Sequence, residues 1–124
     1  MIDFTNKSLV KLKQEDVNKG IEAVKELLIG GETVIDSYVS MRDRVVFTNK
    51  RIISVNVQGL TGKKVDYTSI PYNRIQAYSV ETAGFFDLDA ELDLFLAGLG
   101  KIRFELKGSS NIVELCKVIS EYIL

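Results

Sequence analysis

Four acids at alternate positions, Asp87-x-Asp89-x-Glu91-x-Asp93, form the densest set of chemistry-bearing groups in the chain. Carboxylates gathered around one point hold calcium or share a catalytic proton. With Asp87 as position one, an EF-hand loop needs glycine at position six and glutamate at twelve, and those places hold Leu92 and Gly98. Strict alternation instead follows a β-strand, which separates same-face carboxylates by roughly 6.6 Å. The run reads as the solvated face of a strand, and neither a metal site nor a cofactor is expected there.

Basic residues gather at Arg42/Arg44, Lys50-Arg51 and Lys63-Lys64. In a β-meander successive turns alternate ends, so the 41–43 turn and the 58–62 loop share one end. Arg42, Lys63 and Lys64 are therefore the candidate anion site, with Lys50 and Arg51 at the opposite end. Asp43 and Asp66 interleave with the cluster and dilute it. The reading preferred is that these cations decorate hairpin ends, where they discourage edge-to-edge pairing. The glycines of Gly59-Leu60-Thr61-Gly62-Lys63-Lys64 lack the spacing of a phosphate loop, and no helix follows them.

The chain has no histidine and one cysteine, Cys116. Zinc sites lean on both residue types, and the commonest general base is absent, so a structural zinc and nucleophilic catalysis both lose their usual groups. Cys116 lies on an apolar helical stripe and reads as a small buried hydrophobe. An enzyme working through the carboxylates near 87–93 is the least favoured class. A single cysteine forms no internal disulfide, which fits a reducing compartment, and the expected address is cytoplasmic. The N-terminus, with an acid at position 3 and no long apolar run, does not read as a secretory signal. At 124 residues, with 46% hydrophobic and 27% charged composition, the chain is ordinary globular material for one domain. Sixteen basic residues against 17 acidic ones provide no excess for a nucleic-acid partner.

The elements that must position these groups fall into three stretches. Between Gln14 and Ile29 the apolar residues Val17, Ile21, Val24 and Leu28 recur at helical spacing, with Asp16 near the start. Gly30-Gly31 is expected to stop that helix, and Gly20 to weaken its first turn by about 1 kcal/mol. Short runs rich in Val, Ile, Tyr, Phe and Thr then predict strands near 32–41, 43–48, 51–57, 63–69, 74–82, 87–95 and 101–107, with Pro71 marking a strand end or corner. Residues 87–95 and 101–107 share an odd–even alternation. It predicts a hairpin with even-sum register, Leu92, Leu94, Ile102 and Phe104 inward, and Glu91 and Asp93 near Lys101 and Arg103. From Ser109 to Leu124 the helical period returns, with Asn111 and Glu114 as a candidate capping box and Ser109 or Ser110 as substitutes.

Thr48-Asn49-Lys50-Arg51-Ile52-Ile53, Gln58-Gly59-Leu60-Thr61-Gly62-Lys63-Lys64, Ser69-Ile70-Pro71-Tyr72, Ser79-Val80-Glu81-Thr82-Ala83-Gly84 and Phe86-Asp87-Leu88-Asp89-Ala90-Glu91-Leu92 together resemble the bacterial pleckstrin-homology (PH) domain family over about residues 32–124. The resemblance implies a mainly β, PH-like barrel of about seven antiparallel strands in two orthogonal sheets. A C-terminal helix would cap it, and residues 1–31 would add a helix-bearing N-terminal extension. It also implies a tendency to ring-like homo-oligomers. Where eukaryotic lipid-binding members carry a basic first hairpin, this chain has Met41-Arg42-Asp43-Arg44, short and interrupted by an acid. The function expected is a non-enzymatic interaction or scaffolding domain that assembles with itself, other proteins being further partners. The alternative is a binder of an anionic ligand or membrane surface through Arg42, Lys63 and Lys64. Both helices carry apolar surface beyond one packing contact, so Val17, Ile21, Val24, Leu28, Tyr122, Ile123 and Leu124 are the candidate subunit contacts.

Overall fold

Strands dominate the molecule because Val, Ile, Phe and Tyr run at alternate or consecutive positions between turn residues. The structure, a computed structural model, describes residues 11–59, 61–82 and 89–124. Eight strands form one continuous ladder among them: β1 (Lys11–Gln14), β2 (Val34–Val39), β3 (Asp43–Thr48), β4 (Arg51–Gln58), β5 (Lys64–Pro71), β6 (Ile75–Thr82), β7 (Ala90–Leu96) and β8 (Gly100–Lys107). Their spatial order is β5-β4-β3-β2-β1-β8-β7-β6. Two antiparallel meanders, β2–β5 and β6–β8, are thus joined through β1, which runs antiparallel to β2 and parallel to β8.

β1 is the strand that the sequence reading lacks. Four residues of Lys-Leu-Lys-Gln hold one apolar side chain, too short a pattern to register, yet Leu12 is buried in the main core. β5 and β6, consecutive in the chain, do not pair. Pro71 ends β5, and a single 3-10 turn at Tyr72–Arg74 swings the chain across to the other meander.

The main core lies on the inner face, where Tyr38, Phe47, Leu92, Leu94, Ile102 and Phe104 meet Leu115 and Ile119 of the C-terminal helix α2 (Ile112–Ile123). Tyr38, Phe47 and Phe104 stack edge to face, with centroid separations of 5.8 and 6.2 Å. The β7–β8 hairpin has the expected even-sum register, Asp93 opposite Arg103 and Leu94 opposite Ile102, with the four expected apolar side chains inside. Residues 87 and 88 of that expectation lie outside the described residues.

A second, smaller core sits on the outer face. Helix α1 (Val17–Val24) covers β2 and β3, and Val24 packs with Val46, Ile53 and Val55, flanked by Ala23, Leu28 and Val34. Both faces of β3 and β4 are therefore covered, which is why Val45-Val46-Phe47 and Ile52-Ile53 are unbroken apolar runs.

Three local expectations are corrected. The α-helix ends at Val24, and Lys25–Leu27 tightens into a 3-10 turn, so the helical stretch stops short of Ile29. Gly31, at φ +78°, serves the following turn, where the Glu32 amide donates to the Ile29 carbonyl at 3.0 Å, instead of capping α1. At the N-terminus of α2 no side chain caps: Ser109 Oγ contacts the Tyr38 hydroxyl, Ser110 Oγ donates to Gln14 Oε1, and Asn111 makes no capping hydrogen bond. Long-range partners outbid the local motif there. No described helix is long and apolar enough to cross a membrane.

Candidate functional site

At the open end of the sheet β6 has, among the described residues, a paired strand on one side only, β7, and α2 leans across its inner face. Alternation turns Tyr78, Val80 and Thr82 to that face, in register with Leu94, Leu92 and Ala90. The Tyr78 hydroxyl ties the strand to the helix, donating to the Cys116 carbonyl at 3.2 Å and sharing a 2.6 Å hydrogen bond with Ser120 Oγ. Around this latch the strand and helix leave a groove of about 570 Å³, lined by Tyr78, Val80, Thr82, Ile112, Cys116 and Lys117 among others. Burial raises the Cys116 thiol above its ordinary range, so it enters the wall as a neutral apolar group.

Thr82 also lines a second hollow of about 260 Å³, with Glu81, Asp89, Glu91, Glu105 and Lys107 around it. Glu81 lies opposite Glu91, and Glu91 opposite Glu105, so three glutamates stand side by side on adjacent strands. The neighbouring row is neutralised. Arg103 donates to both oxygens of Asp93, at 2.8 and 3.0 Å, which holds that carboxyl below its usual range, and reaches Glu91 at only 3.8 Å.

The basic end is organised differently. The Val57 amide donates to the Arg42 carbonyl at 3.0 Å and Arg42 Nη1 donates to the Gly59 carbonyl at 2.9 Å, so the 41–43 turn and the 58–62 loop do meet. Lys64 faces Gln58 across the β4–β5 pair, and Lys63 and Lys64 are both exposed.

Arg51, at the other end, is no mere decoration. It donates to both oxygens of Glu32 at 2.9 and 3.0 Å, to the Leu27 carbonyl at 2.6 Å and to Ser69 Oγ at 2.9 Å, binding the turn after α1 to β4 and β5. Desolvation pushes the Glu32 carboxyl up, but the bonds from Arg51, Thr48 and the Ile29 amide outweigh it and leave the group below its ordinary range. Glu15, held by Arg44 at 2.6 Å and by Ser37 Oγ, is lowered in the same way against its own desolvation.

The candidate contact residues divide. Val24 is buried under α1 and Leu28 packs beside it, while Ile123 is half-buried against the main core. Val17 is half-buried, and Ile21, Tyr122 and Leu124 are exposed, the Tyr122 ring lying 5.6 Å from that of Tyr72. The groove residues Tyr78, Val80 and Thr82 escaped the sequence reading. Their period-two pattern marks a strand, but nothing local marks an edge strand facing a helix.

Relatives agree with this architecture. The family model described as bacterial PH domain matches residues 3–123. "Uncharacterized protein YjqA" of Bacillus subtilis (strain 168) is 43% identical over 101 residues, 80% of this chain and 81% of that protein. "Uncharacterized protein YozO" of the same organism is 29% identical over 109 residues, 86% of this chain and 94% of that protein. A DUF1696 family protein with a pleckstrin-homology domain from Shewanella loihica PV-4 superposes with a TM-score of 0.72 at 37% identity, covering 93% of this chain and 99% of that one. A pleckstrin homology domain from Shewanella amazonensis SB2B gives 0.58 at 42% identity, covering 89% and 90%. A twisted sheet stitched by its first strand and closed by a last helix, matched along nearly its whole length by that family's model, places the chain in the bacterial PH domain family.

Proposed function

We propose that this domain is a non-enzymatic, cytoplasmic interaction module that assembles with itself. The observation that carries the reading is apolar surface which the two internal cores leave uncovered on different sides of the molecule. One patch follows α1 and its turn, with Ile21, Leu27 and the 61% exposed Ile29; the other is the end of α2, with Tyr122 and the fully exposed Leu124. Large apolar side chains grouped on a surface mark contact sites. Two unlike patches favour a head-to-tail contact, which closes into a ring when the rotation per subunit allows it. Light scattering of the parent protein at tens of micromolar should give a multimer. Ile29→Asp and Leu124→Asp should each lower that mass while the circular dichroism spectrum stays β-rich. A monomeric parent under those conditions would sink the reading.

A further inference from the structure

We infer that the groove between β6 and α2 receives an extended polypeptide segment of a partner protein, apolar at alternate positions and carrying Lys or Arg where it passes Thr82. The inference rests on reading the domain as an interaction module, and it names the partner's chemistry.

Three observations converge on it. First, β6 is the outermost strand, with no strand paired on its other side among the described residues. Such an edge supplies backbone hydrogen bonds to an added strand, while pockets for alternate side chains supply selectivity. Second, the groove follows the strand: Tyr78, Val80 and Thr82 line it at two-residue intervals, and Ile112, Val113 and Cys116 of α2 form an apolar facing wall beside Lys117. Every second side chain of a segment laid along β6 would enter that apolar wall.

Third, the charge is one-sided at the groove's Thr82 end. Thr82 borders both hollows, so the edge of β6 lies between the groove and the hollow lined by Glu81, Glu91 and Glu105, where Lys107 is the one cation among the described lining residues; Lys117 lines the groove itself. Like charges directly opposed across strands are destabilising, and here two such pairs share Glu91. Arg103 gives partial relief: its close bonds go to Asp93, but it also reaches Glu91 at 3.8 Å and attracts Glu105, and β7 separates it from Glu81 on β6. A segment paired along β6 turns its alternate side chains to the outer face, and a cation placed there beside Glu81 would offset that repulsion. An acidic one would add to it, which makes the site selective by charge.

The test pans a random 12-residue phage-displayed library against the parent protein and against Val80→Asp and Glu81→Lys/Glu91→Lys variants. Melting curves confirm that each variant is folded, as expected for side chains at exposed or half-exposed positions. Peptides enriched on the parent should alternate β-branched or aromatic residues with polar ones and end in Lys or Arg. Their synthetic versions should bind Val80→Asp roughly tenfold or more weakly. The Glu81→Lys/Glu91→Lys protein should enrich acidic ends instead. No enrichment over the Val80→Asp protein, or enrichment with no preference for charge, would overturn the inference. So would a multimer that Val80→Asp dissociates, because the groove would then hold a second copy. A multimer that enriches no peptide refutes this inference alone, and a monomer that enriches basic-ended peptides refutes self-assembly alone.

Discussion

Arg51 shows how far a side chain's role depends on what the fold brings to it. In the sequence it is one of two cations at a turn; in the molecule its guanidinium has four acceptors, and its Glu32 partner carries a side chain with no exposed surface. Removing one member of a buried pair leaves the other's charge or donors unmet. Arg51→Ala should therefore destabilise the domain by about 2–3 kcal/mol in denaturant titrations. Asp93→Asn, which breaks a half-exposed pair, should cost under about 1 kcal/mol. The same contacts set the acid behaviour. Glu32 and Glu15 titrate below their ordinary value of 4.5 in the folded state, so the unfolded chain takes up protons first as pH falls. Their stabilisation is complete above 4.5 and is lost as pH falls from there through the lowered folded values. Melting temperature should drop across that window. The Glu32→Gln protein should be less stable than the parent at neutral pH and show a shallower acid slope; an unchanged slope would exclude Glu32 as a source.

Among the elements, α1 and β1 differ most from what their sequences announce. Gly20 looks like a defect in a helix, yet a Cβ there would lie 2.5 Å from both Cβ and Oγ of Ser37, so glycine permits α1 to sit directly on β2. Gly20→Ala should then destabilise by about 1–3 kcal/mol, against the roughly 1 kcal/mol gain that helix propensity alone predicts. Adding Ser37→Gly should recover part of the loss, and a stabilised Gly20→Ala protein would refute the packing argument. β1 is held by side chains as much as by its short ladder. Gln14 Nε2 donates to both oxygens of the buried Asp36, Tyr38 donates to the same carboxylate at 2.7 Å, and Ser110 Oγ donates to Gln14 Oε1. Tyr38→Phe removes one donor from a buried carboxylate and should cost about 1–3 kcal/mol by equilibrium unfolding. A loss within error would show that the remaining donors suffice.

For the whole molecule, the distribution of charge and of uncovered apolar surface decides what it meets. Formal net charge is −1, and the basic end is short: Arg42 is bonded to its own loop, beside Lys63 and Lys64. Co-sedimentation with anionic vesicles at low salt should leave the parent protein in the supernatant. Retention that Arg42→Gln/Lys63→Gln/Lys64→Gln abolishes, and that added salt weakens, would assign that end to an anionic surface instead. Uncovered apolar surface lies at Ile29 beyond α1, at Leu124 and along the β6 groove, and the fully exposed Met41 adds some at the basic end itself.

Periodicity made the seven longer strands, the α2 stripe and the β7–β8 register legible from sequence, because side-chain facing repeats every two or 3.6 residues whatever the partner is. Pro71 was legible for the same kind of reason, its ring and missing amide being local facts. What lay beyond reach involves choices between distant segments. That Lys11–Gln14 enters between β2 and β8 depends on backbone groups and on Leu12, which carry no pattern over four residues. Ser109 leaves the helix cap for Tyr38, because a buried hydroxyl needs a partner more than a solvent-exposed helix end does. The groove arises only when β5 and β6 decline to pair and α2 crosses beside the open strand. Alternation in Tyr78-Ser79-Val80-Glu81-Thr82 specifies a strand with two faces, and only the tertiary arrangement decides that one face opens onto a helix and the other onto a row of glutamates.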